Sequence, residues 1–257
     1  MLLAINANNT NVKFSVYDGD TERGAWRSAT NIKRTGDEYA VWIIQLMALK
    51  GLAPRDIDAA IIATVVPEAL FNLKVLCRTY FACEPQVFGE PNVIKGVEAK
   101  VQFPNEVGAD RLINTLAAHH RYGGPAIVVD LGTATTFDVV DDDGNYRGGV
   151  ISPGINLSME ALHMAAAMLP RVAVARPSRI IGTSTVECMK SGVFWGYVGL
   201  IEGLIERIKE EFGKPMKVIV TGGLAPLFEG ATKKFDHVDS ELTMHGLVLV
   251  HRLNSRT

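Results

Sequence analysis

The chain lacks the features that define several large classes of protein. Its 257 residues contain no apolar run of the roughly 18 residues needed to cross a bilayer. Lys plus Arg (26) and Asp plus Glu (28) nearly balance, which gives a net charge of −2 and no general attraction to nucleic acid or anionic lipid. The N-terminus shows no basic stretch followed by a cleavage site. We therefore expect a cytoplasmic protein whose partners include neither nucleic acid nor membrane.

Cysteine chemistry and two common nucleotide-binding designs are also missing. The three cysteines, Cys77, Cys83 and Cys188, are an odd number without metal-type spacing, so we expect reduced thiols. The chain has no Walker-type lysine loop and no dinucleotide-binding glycine fingerprint. Any nucleotide site must therefore be built in another way.

An internal duplication is the most informative feature that is present. Residues 2–19 read LLAINANNTNVKFSVYDG, and residues 126–144 read AIVVDLGTATTFDVVDDDG. Each copy is an apolar strand, a polar turn, a second strand and an Asp-Gly pair, with Asn6 at the place that Asp130 occupies in the second copy. Such a repeat predicts two similar half-domains, each offering a turn toward a shared cleft.

The rest of the chain alternates strands with helices, which is typical of α/β layers. Helices are predicted at 37–50, 67–80, 108–121, 156–168, 184–212 and 241–252, and short strands at 59–64, 86–88, 97–101, 148–151 and 216–221. The Gly-Gly-Pro sequence at 123–125 breaks the third helix. We therefore place the domain boundary there, with half-domains at 1–122 and 123–257.

The polar turns have the composition of phosphate-binding sites. Turn amides and hydroxyls donate to phosphate oxygens, and glycine permits close approach of the backbone. Residues 130–136 (DLGTATT) supply these groups beside a carboxylate, which can hold Mg²⁺ through water. A third turn of small residues, 221–225, begins a helix, which is another place for a nucleotide. A single turn of this kind is common in proteins. The prediction of a nucleotide site therefore rests on the presence of three such turns at strand ends.

Several motifs occur together along essentially the whole chain. They are Asn9-Thr10-Asn11, GADR (108–111), DLGTATTFDVV (130–140), GGVISPGI (148–155), Thr185 within GTSTVECMKSG, and TGGLA (221–225). With these motifs the chain resembles the type III pantothenate kinases, of the superfamily that contains sugar kinases, heat-shock chaperones and actin. The resemblance implies an α/β fold of two duplicated ribonuclease H-like (actin-like ATPase) half-domains with a cleft between them. It also implies a homodimeric transferase that phosphorylates pantothenate with ATP, the first step of coenzyme A biosynthesis.

The resemblance further implies roles for the residues around GADR. Asp110 would be the general base that takes the proton from the primary hydroxyl of pantothenate. Arg111 would hold the pantothenate carboxylate, a task that suits its two-pronged donor geometry. Gly108 and Ala109 would line the same pocket, and Thr185 would bind substrate across it.

The nucleotide site implied by the resemblance draws on all three turns. Asp130 would hold a monovalent cation, K⁺ or NH₄⁺, and Mg²⁺ would accompany ATP. The residues implied to bind ATP are Asn6, Asn8, Asn9, Thr10, Asn11, Lys13, Thr133, Gly222 and Gly223.

The first turn departs from the family pattern Asp-x-Gly-Asn-Thr, because this chain has Asn6-Ala7-Asn8-Asn9-Thr10. Asn6 keeps the shape and one acceptor oxygen of aspartate but loses its charge, at a cost of about 10²–10³ in rate if a metal-linked carboxylate is needed. Three hypotheses follow. The chain is a pantothenate kinase, or a weakened or inactive homologue that acts as a binding or regulatory accessory protein, or a kinase for another small hydroxylated acid.

Overall fold

The computed structural model describes residues 1–165 and 169–255, and the chain divides into two compact units. The first unit contains Met1–Glu98, Phe103–Ala117 and the segment that begins at Leu242. The second contains Ala99–Gln102 and Ala118–Glu241. Neither unit is one continuous segment, and the domain boundary at 122/123 stays a prediction.

The first unit is built on a five-stranded sheet with the order β3-β2-β1-β4-β5. Its strands are β1 (Leu2–Ala7), β2 (Asn11–Asp18), β3 (Thr21–Ala29), β4 (Ala59–Thr64) and β5 (Gln86–Val87). β1 pairs antiparallel with β2 and parallel with β4, so the C-terminal ends of β1 and β4 meet at one edge. β3 was not among the predicted strands, because it is a largely exposed edge strand with little apolar alternation.

Among the described residues of the first unit there are four α-helices: α1 (Gly36–Ala48), α2 (Pro67–Tyr80), the start of α3 (Ala109–Tyr122) and α7 (Leu242–Ser255). Thr35 caps α1 in a reciprocal arrangement with Glu38. α1, α2 and alternate residues of β1 (Leu3, Ile5, Ala7) form the main hydrophobic cluster. α7 packs against β1 and β4 without contributing to that cluster, so Asn6 faces the α7 side of the sheet.

The second unit repeats this plan, which confirms the duplication. Its sheet has the order β10-β9-β6-β7-β8, and β6 pairs antiparallel with β7 and parallel with β9. The strands are β6 (Ala126–Leu131), β7 (Ala134–Val140), β8 (Tyr146–Pro153), β9 (Lys217–Thr221) and β10 (His237–Val238), and the helices are α4 (Ile155–Ala165), α5 (Thr185–Phe212) and α6 (Ala225–Phe228). The last three residues of the helix predicted at 156–168 lie outside the described residues.

The predicted strand at 97–101 is wrong. Only Ala99 makes a β-bridge there, to Tyr146, beside a hydrogen bond of 2.8 Å from the Lys100 N–H to the Tyr146 carbonyl oxygen. Alternate residues of this segment are only half-buried, so its alternating pattern does not reflect a place within a sheet. Among the helices that the structure describes, none combines the length and the apolar character needed to span a bilayer.

Candidate active site

The first turn, between β1 and β2, is held by main-chain hydrogen bonds. The Asn8 N–H donates to the Asn11 carbonyl oxygen at 2.9 Å. Thr30, which directly follows β3, makes two hydrogen bonds to the turn. Its hydroxyl donates to the Asn8 carbonyl oxygen at 2.5 Å, and its N–H donates to the Thr10 carbonyl oxygen at 2.9 Å. Sequence reasoning missed Thr30, because nothing in the sequence showed that the third strand would return to this turn.

Amide side chains and one lysine give the first turn its chemical character. Asn6 is 6% exposed and lies directly opposite Lys13 in the β1–β2 ladder. Opposing side chains of an antiparallel pair share a face, with Cβ atoms about 4.5–5.5 Å apart. Among the described residues, the Oδ1 atoms of Asn6 and Asn8 are buried without a hydrogen-bond partner. A buried acceptor left unpaired costs about 1–3 kcal/mol, so these oxygens point to a place built for a ligand or water.

The GADR segment lies at the same edge of the first sheet as this turn. Val65, the residue after β4, donates its N–H to the carbonyl oxygen of Ala7, the last residue of β1, at 3.1 Å. A Cβ atom added at Gly108 would lie 3.8 Å from a methyl carbon of Val65 and 2.7 Å from Oδ1 of Asp110. The beginning of α3 is therefore packed against the loop that extends from the carboxyl ends of β1 and β4.

Asp110 has the electrostatic environment of a base. Its Oδ1 accepts a hydrogen bond of 2.8 Å from the N–H of Arg111. Burial raises the pKa of the Asp110 carboxyl, although that hydrogen bond and the Arg111 guanidinium oppose the shift. A carboxylate with a raised pKa accepts a proton more readily than an exposed one.

The second turn brings Asp130 close to the end of β9 and to Gly222. Asp130 pairs with Thr136 in β7 and with Thr221 in β9, so the ends of the two parallel strands meet beside it. Gly222 follows Thr221 with φ +95°, and a Cβ atom there would lie 2.4 Å from Asp130 Oδ1 and 2.6 Å from the Leu131 carbonyl oxygen. Glycine is therefore required at 222 both for its backbone conformation and for the space beside Asp130.

The structure also brings Thr133 into this second turn. The Gly154 N–H donates to the Thr133 carbonyl oxygen at 3.1 Å, and a Cβ atom at Gly154 would lie 2.3 Å from that oxygen. A second hydrogen bond to this turn comes from the Leu224 N–H, which donates to the Leu131 carbonyl oxygen at 3.0 Å. Gly154 was missed as a site residue, although it lies within a quoted motif. Its role depends on a contact between segments distant in sequence.

Thr185 lies in the second unit, whereas residues 108–111 belong to the first. It is exposed and is the first residue of α5, directly after the capping residue Ser184. The surrounding loop is ordered by Glu187, whose carboxylate accepts from the N–H and hydroxyl of Thr183 and from Arg179. These donors lower the pKa of Glu187 to about 2.

Two duplicated α/β units, each with a strand–turn–strand at the edge of its sheet, define the class of actin-like ATPases and sugar kinases. The chain superimposes on a Baf family transcriptional activator from Campylobacter jejuni with a TM-score of 0.62, 18% identity, and coverage of 99% of this chain and 100% of that one. For a ROK hexokinase from Thermus thermophilus the TM-score is 0.51 at 14% identity, with 99% of each chain covered. At these identities the likeness concerns the fold alone.

Sequence comparison identifies the family within this class. Residues 2–207 match the family model described as type III pantothenate kinase. The chain is 61% identical to the type III pantothenate kinase of Rhodospirillum rubrum over 99% of both chains. It is 62% identical to that of Paramagnetospirillum magneticum over 99% of this chain and 98% of the other. The chain belongs to the type III pantothenate kinase family, as the motifs predicted.

Proposed function

We propose that this chain transfers the γ-phosphoryl group of ATP to the primary hydroxyl of pantothenate, forming 4′-phosphopantothenate in the first step of coenzyme A biosynthesis. Membership of the kinase family supports the reaction class and ATP as the donor. The observation that carries the proposal is geometric: Asp110, the second residue of α3, lies at the carboxyl end of the first sheet, where the first turn also lies. A base and a phosphate-binding turn at one edge are what phosphoryl transfer requires.

Asp110 is the proposed general base. Phosphoryl transfer depends mainly on positioning and charge stabilisation, so a carboxylate within reach of the attacking hydroxyl is sufficient. The raised pKa of Asp110 makes its carboxylate a stronger base than that of an exposed aspartate. The hydrogen bond from the Arg111 N–H to Oδ1 fixes the carboxylate against the first turn of α3.

Arg111 is proposed to bind the pantothenate carboxylate through its guanidinium group. Gly108 and Ala109 line the same place, where glycine at 108 leaves room beside the Asp110 carboxylate. Thr185 is proposed to bind the substrate with its exposed hydroxyl.

ATP is proposed to contact both polar turns. In the second, Thr133, Gly222 and Gly223 offer main-chain and hydroxyl groups to phosphate. A monovalent cation is proposed to bind beside Asp130, whose carboxylate lies near Gly222 together with the Leu131 carbonyl oxygen, a second oxygen ligand. Such a cation would balance phosphate charge.

Magnesium is proposed as a companion of the ATP phosphates. The ion prefers carboxylate and water ligands, and residues 6–13 contain no carboxylate. Within residues 1–165 and 169–255 there is also no group of three or more His, Cys, Asp or Glu side chains able to hold a metal. The first turn therefore offers the ion amide and hydroxyl oxygens but no carboxylate.

A homodimer is the proposed assembly, because the second unit exposes large apolar side chains. Met164 of α4 is 70% exposed, and Ile180 and Ile181 are 68% and 77% exposed. Exposed apolar side chains of this size mark interaction surfaces in many proteins. Light scattering of the wild type and of Ile181→Glu tests this: a dimer that the variant dissociates supports the assembly, and a monomeric wild type rejects it.

The function is tested by coupling ADP release to added pantothenate, ATP, Mg²⁺ and K⁺. We expect turnover in the wild type and a loss of about 10²–10⁴ in Asp110→Asn, the range of a general base. Glu106→Gln, which removes an exposed carboxylate four residues earlier, is the control and should keep full activity. Folded wild type without turnover would reject the proposal. The double variant Asn6→Asp, Asn8→Gly then addresses the accessory-protein hypothesis, which requires a large gain in turnover over an inert wild type.

A further inference from the structure

The hydroxyl of Tyr197, in the middle of α5, lies where β7 and β8 meet beside the second polar turn. It donates a hydrogen bond of 3.0 Å to the Pro153 carbonyl oxygen, and it shares a second hydrogen bond with the Thr135 hydroxyl. A phenol has one proton to donate and a carbonyl oxygen only accepts, so the Thr135 hydroxyl is the donor in the second bond. Tyr197 therefore joins α5 to one residue of each strand.

Both partners of this hydroxyl lie next to residues that shape the second turn. Thr135 is the second residue of β7 and lies two positions after Thr133. Pro153 is the last residue of β8 and directly precedes Gly154. The Gly154 N–H donates to the Thr133 carbonyl oxygen at 3.1 Å. The Tyr197 hydroxyl thus holds together the two strand ends from which this contact extends.

The ring of Tyr197 also reaches the support of the third turn. Its centroid lies 5.6 Å from that of Phe228, with an angle of 31° between the ring planes. Phe228 is the last residue of α6, the short helix that begins at the end of the third turn. Phe228 is fully buried and stacks on Phe194, three residues before Tyr197 on α5. One side chain therefore contacts the supports of two of the three polar turns.

The core requires the ring of Tyr197 but not its hydroxyl. Tyr197 and Thr135 are 5% and 1% exposed. Burial raises the pKa of the Tyr197 hydroxyl, although the hydrogen bond with Thr135 opposes the shift, so the proton stays available for the Pro153 carbonyl. A phenylalanine at 197 would fill nearly the same space and would leave both partners without this hydroxyl. The specific contribution of tyrosine is therefore the connection between the strand ends.

We infer that Tyr197 is a positioning residue for the nucleotide, because its hydroxyl holds the second turn in the conformation that binds phosphate. The inference rests on the proposed function for the assignment of ATP to this turn. Without the hydroxyl the turn samples other conformations, and the apparent dissociation constant rises in proportion to the binding-competent fraction that is lost. Once nucleotide is bound, the turn has its native geometry, so kcat should change little.

The test is the variant Tyr197→Phe in calorimetric titration with ADP and in steady-state kinetics. We expect ADP to bind about tenfold more weakly and the KM for ATP to rise by the same factor. The kcat and the KM for pantothenate should stay within about threefold of wild type. Tyr80→Phe removes a phenol hydroxyl that donates to Asp37 at 2.8 Å in the first unit, and this control should bind ADP normally. Circular dichroism shows whether each variant is folded.

Substitutions at the partner residue test the same hydrogen bond from its other end. Thr135→Val nearly keeps the volume and should weaken ADP binding by about three- to tenfold, whereas Thr135→Ser keeps the hydroxyl and should stay within about twofold of wild type. The double variant Tyr197→Phe, Thr135→Val should be at most about twofold weaker than Tyr197→Phe alone, because both changes remove one shared bond. The Thr135 variants decide the inference if Tyr197→Phe does not fold.

Unchanged ADP binding by folded Tyr197→Phe overturns the inference, as does an equal rise of the KM for both substrates, which a general loss of structure would give. Wild-type protein that does not bind ADP also overturns it. Wild-type protein that binds ADP without phosphorylating pantothenate rejects the proposed function. In that case, about tenfold weaker ADP binding by Tyr197→Phe still supports the inference.

Discussion

The hydroxyl of Thr243 donates a 2.7 Å hydrogen bond to the side-chain oxygen of Asn114, which joins α7 to α3. Asn114 is buried, and it lies one helical turn after Asp110 on the same helix. α7 also packs on β1 and β4, the strands that lead to the first turn. The last helix thus connects the proposed base to the sheet that carries a proposed nucleotide-binding turn.

Thr243→Val should destabilise the protein by about 1–3 kcal/mol, because it removes a donor to a buried acceptor while nearly preserving volume. The free energy of unfolding in urea is the measurement. Thr243→Ser keeps the hydroxyl and should lose distinctly less stability. Equal stability of the valine variant and the wild type would show that the hydrogen bond does not support α3.

Gly246→Ala should lower kcat/KM for pantothenate by about 10- to 100-fold, because it displaces the helix that carries Asp110. A Cβ atom at 246 would lie 2.5 Å from Cγ2 and 2.6 Å from the carbonyl oxygen of Ile113. Steady-state kinetics measure the effect. Gly199→Ala, at a helical glycine with no atom within 4 Å of the added carbon, is the control and should stay active. Full activity of Gly246→Ala would show that α3 tolerates the displacement.

The acid limb of the pH profile of kcat/KM should report the raised pKa of Asp110. The base works only when deprotonated, so activity falls as the pH drops through that pKa, above the value of about 3.9 for an ordinary aspartate. The acid limb should be absent from the pH profile of the residual activity of Asp110→Asn. Circular dichroism at each pH separates this titration from acid unfolding. A limb at or below the ordinary value would contradict the assignment.

Gly222→Ala should weaken ADP binding by about tenfold or more. The added carbon would meet Asp130 and the Leu131 carbonyl, and the residue has a φ of +95° that alanine rarely adopts. At the neighbouring Gly223 the same carbon meets nothing within 4 Å, so Gly223→Ala should cost less. Calorimetric titration with ADP compares the two. If both variants weakened ADP binding equally, the close packing of Gly222 against Asp130 would not be the reason that glycine is needed at 222.

Local sequence patterns predicted the elements that have a strong local cause. The strand at 59–64 is a continuous apolar run, and the helix at 67–80 begins with Pro67 and ends at Tyr80; both have the predicted bounds. α1 likewise begins after a residue with a local cause, Thr35, whose side chain accepts a hydrogen bond from the Glu38 N–H. The strand at 97–101 failed because an alternating pattern cannot show whether a partner strand is present.

The sequence by itself determined the family, the duplicated turns and the types of side chain that the proposed site uses, since these follow from the order of residues along the chain. Only the tertiary structure decided that Val65 brings the start of α3 to the carboxyl edge of β1 and β4. It also decided that Ile113 of α3 packs closely against Gly246 of α7, and that Lys13 lies opposite Asn6 in the β1–β2 ladder. These relationships depend on strand register and helix packing, which are set by contacts between distant segments and not by any local pattern.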